Sequence, residues 1–397
     1  MLPFVPMEAI PQDGRLQPRY ERKRGSEIGS ATYFERGDLL LAKITPCFEN
    51  GKQAIALELP ESFGYATTEV IPLHAADGQQ DPRFLFYFLL RPSVRASLTG
   101  RMEGSTARQR VPEDALLDLE YPNFPVNEQR IIADALKMVR DAIDVERECD
   151  GRYTNLKHAA MRELFTRGLR GQPQRETEVG QIPDSWDLST VGAHFCAVSG
   201  GTPPRSDPRC WSDGTVPWVK STEVGRGLIS ATGECITPYG LANSAAKVLP
   251  IGAILVAMYG ETRGKVGVLA IEASCNQACA ALTVSSNAIR PSFLRQWLEY
   301  RYEDTRQRAH GGAQQNLNLD IIRNLPIAFP LKSDEQEEVA NVLDAIDKKI
   351  VLHRRKRVVL GELFKTLLDG LMTGETVVSD LDLLALKGAD NRKRTMA

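Results

Sequence analysis

The stretch "FPVNEQRIIADALKMVRDAID" (124–144) returns further along the chain as "FPLKSDEQEEVANVLDAIDKKI" (329–350). A chain that carries the same proline-led, Glu-Gln-opened helix twice is built on an internal repeat, and the repeat decides the architecture before composition does. Laying Glu128-Gln129 on Glu335-Gln336 gives an offset of 207 that runs without gaps: Ala133 falls on Ala340, Leu136 on Leu343, Ile143 on Ile350, Leu156 on Leu363, Leu164 on Leu371 and Thr166 on Thr373. Nearly the same offset matches "EGSTARQR" (103–110) with "HGGAQQNL" (310–317) and "FLFYFL" (84–89) with "SFLRQWL" (292–298). Earlier still, "GDLLLAKI" (37–44) answers "GAILVAMY" (252–259), and "YATTEVIPL" (65–73) answers "SCNQACAAL" (274–282). The chain is therefore two divergent copies of one unit, each a mixed α/β globule followed by a long helix.

Both helices have marked ends. Asn127 after Pro125 suits an N-cap, Ser333 with Gln336 three residues on reads as a capping box, and Gly168 and Gly374 stand where a C-terminal glycine belongs. Each helix then spans roughly 40 residues, about 60 Å at 1.5 Å per residue. Apolar residues recur at alternating steps of four and three, as in a coiled coil. The seam of the first helix reads Ile132, Leu136, Val139, Ile143, Glu146, Asp150, Tyr153, Lys157, Ala160, Leu164; that of the second reads Val339, Leu343, Ile346, Ile350, His353, Arg357, Leu360, Phe364, Leu367, Leu371. Acids at the middle of one seam and bases at the middle of the other predict that the helices pair. Antiparallel pairing about the midpoints sets Glu146 against Arg357 and Asp150 against His353, which fixes register at some cost in stability. The expected fold is α+β: two globules related by a pseudo-twofold axis at the ends of an antiparallel coiled coil.

Bulk properties exclude little but direct attention to local surfaces. With 42% hydrophobic and 25% charged residues, the 397-residue chain reads as globular, and its net charge of −2 is not that of a small basic DNA-binding module. The seven cysteines form no C-x-x-C pair, and Cys275 and Cys279 have no histidine at zinc spacing, since His194, His310 and His353 lie elsewhere. No metal site is expected. "MLPFVPMEAIPQDG" lacks a signal-peptide pattern and "PIGAILVAM" is far short of the ~20 residues a membrane span requires, so the reading is cytoplasmic.

Two unlike globules on a ruler of fixed length suit an asymmetric, bipartite DNA sequence, as symmetric dimers suit palindromes. The chain resembles the specificity subunit of type I restriction-modification systems from residue 1 to about 375. The resemblance is carried by "EVGQIPDSWDLSTVG" (178–192), "VPWVKSTEV" (216–224), the turns "GSTARQR" and "GGAQQNLN", and the two "FP…EQ" helices. It implies a first target-recognition domain over 1–125, a helical spacer over 126–170, a second recognition domain over 171–330, a second spacer over 331–375 and a tail over 376–397. It also implies no catalysis and no cofactor in this chain. S-adenosylmethionine would be held by two modification (methyltransferase) subunits, and ATP and Mg by two restriction (motor-nuclease) subunits, with double-stranded DNA as the shared ligand and no membrane. The residues agree: there is no N/D-P-P-Y/F tetrapeptide and no G-x-G-x-x-G, and "GETRGKV" (260–266) has the wrong spacing for a phosphate loop, with Val266 where Ser or Thr would reach Mg²⁺.

The same "GETRGKV" loop offers Arg263 and Lys265 just beyond an apolar strand, and its counterpart "CFENGKQ" offers Asn50, Lys52 and Gln53. Arg and Lys match the guanine O6/N7 edge, and Asn and Gln match the adenine N6/N7 edge, so divergence here is what two different half-sites require. Ser105, Thr106, Arg108 and Arg110 of "GSTARQR" suit phosphate, and "GGAQQNLN" supplies Gln314, Gln315 and Asn316 instead. Lys43, Lys220 and Arg226, at the ends of neighbouring apolar segments, complete the DNA-binding candidates. The bland alternative for each is a solvated loop. One departure from the family is clear: "FVPMEAI" (4–10) lines up with "WVKSTEV" (218–224), so the lead-in segment "QIPDSW…GGTPPRSDP…W" has no copy in the first globule. A shortened or permuted first domain, with the residues after Gly374 helping to close it, is the expectation. A standalone nuclease or methyltransferase, and a coiled-coil scaffold that does not bind DNA, are the competing readings.

Overall fold

The computed structural model describes residues 1–76, 78–105, 108–225, 227–309 and 316–378. They form two compact units, one of Met1–Cys149 with the chain from Leu352 onward, the other of Asp150–Val351. The division runs through the middle of both long helices, Val126–Arg167 and Ser333–Thr373. Each helix stops at a glycine in the left-handed region, Gly168 (φ +64°) and Gly374 (φ +75°), a conformation that costs a side chain but not a glycine.

In the first unit, Ile132, Leu136, Val139 and Ile143 of the first long helix share one core with Phe364, Leu367 and Leu371 of the second. They run antiparallel: Arg140 lies over the Phe364 ring at 5.9 Å, and two turns on, Glu146 accepts from His353. In the second unit the order is also reversed, with Lys157 Nζ 2.6 Å from Asp347 and Gln172 Nε2 donating to Glu335 at 2.9 Å. Val339 and Leu343 are buried there and Leu164 is half-buried. In the central turns Ile350 is buried and Asp150, Ile346 and Arg357 are half-buried. His353 bonds Glu146, which also has Lys356 at 3.9 Å.

The sheets repeat at the level of register. Leu39–Ala42 lies between Gln53–Ile55 and Val70–Leu73, with Leu39 opposite Ile55 and Leu73. Ile254–Ala257 lies between Val266–Leu269 and Cys279–Val284, with Ile254 opposite Val268 and Leu282. A second sheet sets Val5 beside Ala66 in parallel in one unit, and Val219 beside Cys275 in parallel in the other. Continuous apolar runs such as "LLLA" and "ILVA" are buried on both faces, as central strands require. The second unit adds Phe195–Ser199 and Gly227–Ile229 to its main sheet and pairs Trp186–Thr190 with Pro326–Pro330. Two of these additions, Trp186–Thr190 and Phe195–Ser199, come from the lead-in segment.

The repeated "EQ" has a structural reason. Gln129 and Gln336 are 3% and 0% exposed. Gln336 Oε1 accepts from Arg290 N (2.7 Å) while Nε2 donates to Ala288 O and Pro330 O (2.8 Å each). Gln129 does the same with Asp81 N (3.0 Å), Gln79 O (3.3 Å) and Phe124 O (2.8 Å). One amide thus satisfies three backbone groups and ties the start of the long helix to the start of Pro82–Leu90 or Pro291–Tyr300. Gln336 is therefore not the reciprocal partner of a capping box; the Ser333 hydroxyl accepts from Arg290 Nε at 2.6 Å instead.

Candidate nucleic-acid interface

In the first unit the turn ending at Arg110 is stitched to the end of the central strand. Thr45 N donates to Gln109 O (3.0 Å), Val111 N to Lys43 O (2.9 Å) and Lys43 N to Glu69 O (2.9 Å). The second unit repeats one stitch, Leu317 N to Met258 O at 3.0 Å, so half-buried Asn316 stands beside the corresponding strand end. These bonds bring Lys43, exposed Arg108 and Arg110 around Glu69, and exposed Ser105 accepts from Arg108 N through its carbonyl at 2.8 Å. Arg110 grips that carboxylate with Nε at 2.9 Å and Nη2 at 2.7 Å. Glu69 is held below the usual carboxylate range, first by the hydrogen bond from Arg110 and then by the charges of Arg110, Lys43 and Arg108. Three cations thus act on this one carboxylate. Thr106, Arg226, Gln314 and Gln315 lie outside the described residues.

The turn that follows the central strand departs from expectation in the first unit. Gln53 is 0% exposed: its Nε2 donates to Phe86 O at 2.6 Å and its Oε1 accepts from Arg95, an arginine whose pKa burial pulls down to about 10. A side chain closed in on both ends has no edge for a base, so Gln53 is a core residue. Lys52 is half-buried and donates to Met7 O at 2.8 Å, so its ammonium also serves the fold. Asn50 alone of the three is exposed. "CFENGKQ" looked like a solvent loop because its polar residues are contiguous, and nothing local shows that its last two turn inward.

In the second unit Lys265 is exposed and Arg263 half-buried, and the stem of Lys265 lies over Gly225, where a Cβ would sit 2.6 Å from Lys265 Cδ. Thr262 Oγ1 donates to Ser221 O at 2.9 Å, fastening the turn to the segment that follows Lys220. Lys220 Nζ meets Glu234 at 2.7 Å, and Glu234 is shared with Arg205. Those two bonds, Arg205 first, hold the Glu234 carboxyl below its usual value. Arg205 lies 3.8 Å over the Trp211 ring and 4.8 Å from that of Trp218. Trp218 Nε1 donates to Gly201 O at 2.9 Å, so the lead-in segment is laid across this sheet edge. Arg205 and Arg209 are the surface residues that sequence reasoning missed; the available signal was two arginines punctuating "TPPRSDPRCW", next to prolines that fix a loop and an aromatic that can carry a cation.

No described helix is long and apolar enough to cross a membrane. Residues 183–361 match the family model described as type I restriction modification DNA specificity domain. The MjaVIII type I restriction enzyme specificity subunit of Methanocaldococcus jannaschii is 23% identical over 329 residues, 80% of this chain and 76% of that subunit. The EcoAI specificity subunit of Escherichia coli is 29% identical over 200 residues, 49% of this chain and 31% of that longer subunit. In fold, the S subunit of a type I restriction-modification system from M. genitalium superposes with a TM-score of 0.61, covering 92% of this chain and 90% of that one at 17% identity. Residues 183–361 are thus identified as a type I restriction-modification DNA specificity domain, and the chain as a whole is similar to the specificity subunits of those systems.

Proposed function

We propose that this chain reads a bipartite, asymmetric DNA sequence, one half-site per unit, and scaffolds the methyltransferase and motor-nuclease subunits that act on it in the cytoplasm. The observation that carries this reading is a shared frame with divergent surface. Leu39 and Ile254 keep the same two strand partners, while the turn beyond them presents Asn50 in one unit and Arg263 with Lys265 in the other. Two reading heads with different half-sites need that combination. The cluster of Lys43, Arg108 and Arg110 is suited to phosphate, which fixes orientation without reading sequence. A scaffold role is supported by apolar side chains that the seams leave in solvent: Leu352, Val358 and Val359 in the first unit, Leu156, Val342 and Val351 in the second.

The test is a map of N6-methyladenine in host DNA with the gene intact and deleted. Loss of one gapped, asymmetric motif on deletion is the expected result and supplies both half-sites. If methylation is unchanged, the purified chain is combined with the neighbouring methyltransferase, and failure to methylate any gapped motif ends the proposal.

A further inference from the structure

Arg209 sits on the lead-in segment of the second unit and is 71% exposed at its side chain, yet it is held from three directions. Asp207 accepts from Arg209 N and Nε at 3.0 Å and from Nη2 at 2.9 Å. The guanidinium lies 4.8 Å from the Tyr239 ring. Its backbone carbonyl accepts from Thr237 Oγ1 at 2.6 Å, and Asp207 caps the short helix Pro208–Cys210 that contains it. An exposed arginine gives up side-chain entropy to be held this way, and a surface ion pair returns little stability for it. Such order is useful where a ligand must meet a prearranged fork.

The direction of the fork identifies the ligand. Asp207 occupies the edge formed by Nε and Nη2, and Nη1 has no partner among the described residues. Of the five guanidinium donors, the two on Nη1 and one on Nη2 are left, facing away from the carboxylate. A phosphate would meet the Asp207 charge together with the arginine's, and the pair is neutral. A guanine edge is itself neutral, so the carboxylate does not repel it, and O6 with N7 accepts two parallel N–H bonds from such an edge. The corner around Glu69 in the first unit differs on this point, because there Arg110, Lys43 and Arg108 all act on one carboxylate.

We infer that Arg209 is a specificity-determining residue that reads a guanine in the half-site of the second unit, with Asp207 as its positioning residue. This rests on the proposed DNA-reading function. The neighbouring Arg205, itself exposed, is engaged by Glu234 and the two tryptophan rings, and it braces the segment on which Arg209 is displayed.

The experiment takes the motif from the methylation map and measures binding of the full chain, assembled with its methyltransferase, to duplexes in which each base pair of each half-site is replaced in turn. Absence of any motif would sink the DNA-reading function itself. Given a motif, the wild-type complex discriminates at every specified pair. Arg209→Ala is expected to lose discrimination of about 5- to 150-fold at one G·C pair of one half-site and to leave the other pairs as they were. Asp207→Asn is expected to lose part of it at the same pair. Uniform weakening across all duplexes, with a salt slope reduced by about one, would make Arg209 a phosphate contact and overturn the inference. So would unchanged discrimination. If Arg209→Ala lowers the melting temperature, Arg209→Lys, which keeps the charge but not the fork, is measured at the same pair. Discrimination lost there supports the reader, and discrimination kept, or weakening spread over all duplexes, overturns it.

Discussion

The two units fasten the same turn to the same carbonyl with different side chains. In the first, Lys52 donates to Met7 O; in the second, Thr262 donates to Ser221 O, and Met7 and Ser221 are matched by the alignment of "FVPMEAI" with "WVKSTEV". Lys52 and Lys265 occupy equivalent positions, but only Lys265 is left in solvent. A one-residue change of latch converts a structural lysine into a surface one. Equivalence in the repeat therefore predicts backbone position well and side-chain role poorly.

A second comparison lies in the helix seams. Lys157 is buried between Glu299 and Asp347, 2.6 Å from the latter, and Arg295 and Gln296 converge on Asp344 and Asp347. The positions matched to Lys157, Arg295, Gln296, Glu299 and Asp347 are Phe364, Phe86, Tyr87, Leu90 and Arg140. There the contacts are aromatic: Tyr87 lies edge-on to Phe364 at 6.1 Å and to Phe86 at 5.4 Å. One backbone frame thus holds a charge network in one unit and a ring cluster in the other. Each seam rejects the other's partner, since Lys157 set against rings would be a buried charge without a carboxylate.

Breaking that difference gives the largest expected effect. Lys157→Phe alone takes the buried ammonium from Asp347 and Glu299, which keep only Arg295 and Gln296, and costs up to about 3–5 kcal/mol. All four tryptophans, Trp186, Trp211, Trp218 and Trp297, lie in the second unit, so the loss is read there by fluorescence during urea unfolding. Adding Arg295→Phe, Gln296→Tyr, Glu299→Leu and Asp347→Arg transplants the first unit's set and is expected to restore at least half of the loss. If the fivefold variant is no more stable than the single one, the two seams are not interchangeable frames.

Next come the glutamine clamps, where the units are alike. Gln336→Ala takes the side-chain partner from one backbone N–H and two carbonyls, buried or part-buried, and Gln129→Ala does the same. Each is expected to cost about 2–4 kcal/mol. Unequal losses, measured by fluorescence for the second unit and amide exchange for the first, would show that one clamp is backed up by other contacts.

Acid sharpens the seam comparison further. Burial pushes the Asp347 carboxyl up, but the bonds and charges of Lys157 and then Arg295 outweigh it and hold the group below its ordinary value of 3.8. Its contribution is complete well above that value and is lost as pH falls through the lower folded one. The matched Arg140 has no proton to gain in that range. Asp347→Asn is therefore expected to flatten the acid limb of the tryptophan-monitored transition below about pH 4, with exchange from the first unit unaltered. An acid limb that keeps its slope would place the titrating carboxylate elsewhere.

Much of this was legible in the residues. The 207-residue offset located both helices, and the apolar steps along them named a seam whose apolar members are largely buried or half-buried. Strand registers followed from aligning short apolar runs, because a run buried on both faces admits no slip without exposing it. The inward turn of Gln53 was not legible. It depends on where a side chain ends in three dimensions, and a polar residue has the same letter whether it satisfies Arg95 in a core or faces water. Arg209 was missed for the opposite reason: the lead-in segment is present once, so no second copy drew attention to it.

The smallest expected effect separates structural from surface lysine most directly. Lys52→Met removes the latch to Met7 and, at a half-buried carbonyl, is expected to cost about 1 kcal/mol, close to that for Thr262→Val at Ser221. Lys265→Ala removes no latch and is expected to leave the unfolding midpoint of the second unit unchanged. Its effect should appear in binding, as weaker affinity for every duplex and a salt slope shallower by about one if Lys265 meets phosphate. Loss of discrimination at a single base pair would make it a second reader beside Arg209. A shifted midpoint with unchanged binding would reverse the roles assigned to the two lysines, because Lys265 would then be the one that holds its turn in place.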